Sequence, residues 1–153
     1  MSEFSTTSTE FAPVGETLSL HLEAQGWPII AAWGGEIESL NGQRVAVEFG
    51  VRLNGAIQPK RCRYVVQVKH EFAAAIDISA DALWNGTNIF SLVWRVDGGL
   101  GVKYSMGDLG YFSVQAVEPD QIERWLAVHR NGIALHAGEV LDIINRRHSR
   151  FNR

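Results

Sequence analysis

One cysteine in the whole chain, Cys62, excludes an internal disulfide, and that scarcity favours a reducing compartment. No apolar run approaches the roughly 20 residues that a helix needs to cross a bilayer. Residues 1–16, MSEFSTTSTEFAPVGE, have neither the basic start nor the apolar stretch of a secretory signal. The expected location is therefore cytoplasmic, with no membrane partner. Catalytic motifs are missing as well. His70-Glu71 opens a zinc-protease pattern, but position 74 is Ala where the second histidine belongs. There is no Walker loop and no G-x-S-x-G nucleophile elbow. Gly99 and Gly101 are two apart, yet position 104 is Tyr, and the segment reads as a hairpin rather than a strand-to-helix turn. These absences imply no cofactor and no metal, and they weigh against an enzyme. A carboxylate pair among Glu48, Glu71 and Asp77 stays open, with no spacing that singles it out.

What is present is the composition of one folded domain: 153 residues, 46% hydrophobic and 20% charged. Residues 1–12 are Ser/Thr-rich and read as a flexible N-terminal arm. Residues 13–153 read as a single α+β domain. Charge is blocky along the chain: −6 over residues 1–40, +5 over 41–69, −6 over 70–123 and +4 over 124–153. Such blocks either lie side by side in the fold or leave a polarised surface that steers a partner.

The stretch 43–69 reads as a β-hairpin around which the rest is organised. Val45, Val47, Phe49, Val51 and Leu53 alternate with Arg44, Ala46, Glu48, Gly50 and Arg52, so they share one face of a strand. Asn54-Gly55 is a strong turn signal, and Pro59 forbids a ladder N–H before the return. In the return strand Cys62, Tyr64, Val66 and Val68 alternate with Arg61, Arg63, Val65 and Gln67. A pairing of Leu53 with Lys60, across a loop from Asn54 to Pro59, sets Val51 against Cys62 and Phe49 against Tyr64. Val47 then faces Val66 and Val45 faces Val68, and both apolar sets meet on one side. The other side carries Arg44, Arg52, Lys60, Arg61, Arg63 and Lys69 against a single acid, Glu48.

Elsewhere the periodicity predicts a strand over 17–23, with a short helix closed by Gly26 as its competitor. Residues 27–33, WPIIAAW, predict a buried strand or core-facing connection, followed by a loop over 36–42. Residues 70–79 either extend the second hairpin strand or bend through a bulge. Ser79 caps a short helical turn over 80–84, and the sequon Asn85-Gly86-Thr87 marks a turn. Residues 88–96 are apolar on both faces apart from Ser91 and Arg95, as a central strand requires. Turns at Asp97-Gly98-Gly99 and over 106–110 complete a three-stranded meander. Pro119 then opens a helix with Ile122, Trp125, Leu126 and His129 on one face, ended by Gly132. A second amphipathic helix follows over 134–147.

Cys62 has its parity on the core face, so its neighbours Arg61 and Arg63 do not activate it. His129, His136 and Glu139 are better explained as a packed histidine and a surface pair than as metal ligands. The five tryptophans are scattered over every element, and Trp84 beside Asn85-Gly86 is the one expected at the surface. The expected fold is a curved antiparallel sheet of five to seven strands covered by two C-terminal helices. The preferred function is a non-enzymatic protein-binding domain of inhibitor, immunity or adaptor type. It takes an acidic protein partner through Arg44, Arg52, Arg61, Arg63 and Lys69. The alternative is a small-ligand protein or enzyme with a pocket between sheet and helix lined by Trp94, Tyr104 and Trp125. A nucleic-acid binder comes third, with the acidic pI of about 5.9 against it.

Overall fold

The computed structural model describes residues 3–15, 17–23, 26–106 and 111–130. Among these the strands are β1 (Glu3–Thr6), β2 (Ala12–Pro13), β3 (Leu18–Leu22), β4 (Ile29–Ser39), β5 (Val45–Leu53) and β6 (Ala56–Ile57). They continue with β7 (Cys62–Val66), β8 (His70–Ile78), β9 (Gly86–Val96), β10 (Val102–Ser105) and β11 (Tyr111–Ala116). A 3-10 turn spans Ala80–Ala82; a second, Pro119–Gln121, leads into the helix α1 (Ile122–Arg130). No described helix is long and apolar enough to cross a membrane.

The alternation in β5 is realised as the pleat demands. Val45, Val47, Phe49, Val51 and Leu53 are all buried, and the residues between them face the other way. The return strand is paired, but two residues out of the expected register: Phe49 lies opposite Cys62, Val47 opposite Tyr64 and Val45 opposite Val66. The reason is the turn. Asn54 and Gly55 adopt φ of 50° and 89° and close directly, so Leu53 meets Ala56 and Arg52 meets Ile57. The six-residue loop was the wrong length. Pro59 and Lys60 instead loop out between β6 and β7. Because the slip is an even number of residues, the side chains of β7 keep their faces, but Val68, expected in the core opposite Val45, lies beyond the strand and is 74% exposed.

The strands form two antiparallel sheets rather than one. The first holds five strands, with β4 flanked along one side by β8 and along the other by β11 and then β10, and β1 beyond β10. The second holds six: β9 and β5 at the centre, β2 and β3 outside β9, β6 and β7 outside β5. Their inner faces share one apolar core that includes Trp33, Phe72 and Tyr104 from the first sheet and Phe49, Phe90 and Trp94 from the second. The main partner of each sheet is thus the other sheet, not a helix. The expected meander also gives way: β9 belongs to the second sheet, while β10 and β11 cross to β4 in the first. The arm reading of residues 1–12 is corrected as well, since β1 pairs with β10 and β2 with β9.

The sequence of β4 explains how one strand serves three neighbours and two environments. Ile29, Ala31 and Trp33 enter the core, while Ile30 and Ala32 face outward beneath α1. Leu126, Ile122 and Trp125 of α1 cover them with Ala75 of β8, and each fully buried Leu-sized side chain contributes about 1.5–3 kcal/mol. The Arg130 guanidinium also donates to the Ala75 carbonyl, at 3.2 and 3.0 Å, closing part of the free edge of β8. Beyond Gly34-Gly35 the strand continues through the expected loop, and its outward side becomes charged at Glu36 and Glu38. The expected second helix over 134–147 lies outside the described residues.

Candidate functional site

Two surfaces gather chemistry. The first is the outer face of the second sheet, which β5, β7 and β9 build from their even-odd alternation. There Glu48 accepts from Arg61 at 3.3 Å and from Arg95 at 3.0 Å. The ring of Phe11 lies against both guanidinium groups, 5.1 Å from Arg61 and 4.5 Å from Arg95. Phe11 also packs over Gly50, where a Cβ would find its ring at an ordinary contact distance of 3.7 Å. Arg63 pairs with Asp97 at 2.8 Å on the same side. Arg44 is exposed and Arg52 half-buried, and among the described residues neither has an ion-pair partner. Val65 and Ile89, 54% and 47% exposed, add apolar surface between these charges.

The structure does not bring all the expected basic residues together. Lys69 turns to Glu36 of the first sheet at 3.0 Å, and Lys60 reaches Asp77 of β8 at 2.7 Å. The acidic and basic blocks of the chain are therefore partly satisfied against each other. The group that remains is Arg44, Arg52, Arg61, Arg63 and Arg95. Arg95 went unassigned because only the pairing of β9 with β5, Glu48 opposite Arg95, puts it there.

Cys62 and Tyr64 face the other way, toward the core between the two sheets. Burial pushes the Cys62 thiol up, against the opposing influence of the Arg130 charge and a hydrogen bond with Tyr64. Burial first, then the neighbouring Cys62, raises the Tyr64 phenol. The thiol is thus held protonated, since Arg61 and Arg63 project from the opposite face. Burial lowers the His129 pKa, and its ring stacks on Trp125 with centroids 6.2 Å apart. His136 and Glu139 lie outside the described residues. No three His, Cys, Asp or Glu among the described residues converge to hold a metal ion.

The expected pocket is not where the aromatics were placed. Trp94 and Tyr104 are packed edge to face inside the core, their centroids 6.0 Å apart, and the Tyr104 hydroxyl donates to the Gly34 carbonyl. Trp125 belongs to α1 on the far side of the first sheet. Those three cannot line one cavity, because a sheet lies between them.

The second surface is a cleft of about 290 Å³ at the end of the molecule where β3 finishes and β4 begins. Leu22, Trp27, Leu83 and Trp84 line it, with Glu23 and Asp81. Its walls are held from beneath. Asn88, fully buried, accepts from the Trp84 N–H at 2.8 Å and donates to the Trp84 carbonyl at 2.9 Å. Ser79 Oγ accepts from the Asp81 N–H at 3.2 Å and fixes the 3-10 turn. Trp84 is exposed, as its place beside Asn85-Gly86 predicts. Trp27 was missed, although Pro28 after it marks the entry to a strand rather than its interior. No protein-family model matches this chain, and a search of the curated proteins finds no match either.

Proposed function

We propose that this chain is a non-catalytic protein-binding domain that receives an acidic partner on the outer face of its second sheet. The observation that carries this reading is the composition of that face: Arg44, Arg52, Arg61, Arg63 and Arg95 against Glu48 and Asp97, interleaved with exposed Val65 and Ile89. Arginine with apolar surface is the composition of protein interfaces, where guanidinium groups bind carboxylates in a planar fork. Exposed ion pairs such as Arg63–Asp97 contribute only about 0–1 kcal/mol, so a partner's carboxylate can replace the internal one at little cost. Arg61 and Arg95 are pre-ordered by Phe11 and Glu48, which reduces the entropy lost on binding.

The test replaces the arginines that hold no structural contact to Phe11. Tagged wild-type protein and a variant carrying Arg44→Glu, Arg52→Glu and Arg63→Glu are compared for partner capture at low and high salt. The expected result is a set of acidic proteins retained by the wild type at low salt, released as salt rises, and absent from the variant. Identical capture by both proteins overturns the reading. Binding of a labelled oligonucleotide at low salt, lost in the variant, would transfer the face to nucleic acid.

A further inference from the structure

We propose that the end cleft between β3, β4 and the 3-10 turn is a binding site for a small alkylated ammonium ion. Trp27 and Trp84 supply the π faces and Glu23 and Asp81 the counter-charge. Four observations converge on it. The cavity, about 290 Å³, sits at the small end of the range for ligand pockets. Two tryptophans remain 37% and 61% exposed there, in a chain that buries Trp33, Trp94, Phe49 and Phe90 completely. Indole is the side chain whose ring face attracts a cation best.

Charge then selects among ligands. Among the described residues Glu23 and Asp81 have no ion-pair partner, and no Lys or Arg lines the cleft. Glu36, Glu38, Glu48, Asp77 and Asp97, by contrast, each have a Lys or Arg partner. An anion entering the cleft meets two carboxylates. A neutral ring gains only contact with the indoles and leaves that charge unused. A cation with an apolar surface uses both, and alkylation weakens its hold on water, so less hydration is lost on entry. The site is also pre-formed, because Asn88 fixes the Trp84 backbone and Ser79 fixes that of Asp81.

The experiment follows the tryptophan indole N–H signals of the full chain by NMR during titration with choline. The carbon isostere of choline, in which carbon replaces the charged nitrogen, and a methyl glucoside are titrated in parallel. Choline is expected to move the Trp27 and Trp84 signals saturably, and the isostere to bind at least tenfold more weakly. Trp84→Ala, at a side chain that supports no packing in the core, should abolish the shift while leaving the other indole signals in place. Glu23→Gln with Asp81→Asn should weaken choline by about tenfold and leave the isostere unchanged. Equal binding of choline and isostere, a response to the glucoside alone, or no response to choline overturns the proposal.

Discussion

Phe49 shows how much of the fold rests on one residue. It is fully buried, and the rings of Trp33, Tyr64, Phe72, Trp94 and Tyr104 lie 6.2, 6.1, 5.4, 5.8 and 5.4 Å from its own. Those five rings come from both sheets, so Phe49→Ala opens a cavity that neither sheet can fill alone. We expect a loss of about 3–5 kcal/mol, read as a lower urea midpoint at unchanged slope. Asn88 is the polar counterpart. Its side chain satisfies the Trp84 N–H and the Asn54 amide, at 2.8 and 3.0 Å, inside an otherwise apolar region. Asn88→Ala leaves both donors unmet and costs about 2 kcal/mol or more. It should also broaden the Trp84 indole signal, because the backbone there loses its anchor.

At the scale of the element, β4 depends on a glycine. Gly35 adopts φ of 143°, and a Cβ there would run into the Ser105 carbonyl, where β10 joins the edge that β11 leaves at Gly34. Gly35→Ala therefore combines backbone strain with a clash, and about 3 kcal/mol or more should be lost. Gly50→Ala is the control: its Cβ would find only ordinary contacts at 3.6–3.8 Å, and thermal unfolding should move little. The hairpin shows what was legible here. Alternation assigned every side chain of β5 and β7 to its face, because that depends only on the pleat. The register depended on a two-residue turn and a bulged Pro59-Lys60, and alternation is blind to an even slip.

For the whole molecule, titration sets a window of stability. Burial lowers the His129 pKa, so below about 6.5 the unfolded chain binds a proton that the folded chain resists, and stability falls as pH drops. Burial raises Cys62 and Tyr64, so the folded state keeps protons that the unfolded chain releases above about 8.5, and stability falls as pH rises. Urea midpoints should be highest between these limits. Tyr64→Phe with Cys62→Ala should flatten the alkaline fall, and a decline of equal steepness in that variant would refute the assignment. The ion pairs that join acidic and basic blocks are mostly exposed, so added salt should shift the midpoint only slightly.

The sequence by itself determined what is local: the faces of β5 and β7, the central character of β9, the capped turn at Ser79, and the stripe of α1. Each follows from a period of two or 3.6, or from a side chain that satisfies its own backbone. Tertiary structure alone decided which strands are neighbours. It sent β10 and β11 to β4, set two sheets against each other over Phe49, brought Arg95 to Glu48, and opened a cleft between Trp27 and Trp84. Those contacts join residues far apart in the chain, and they are selected by the burial of a shared core that no single segment encodes.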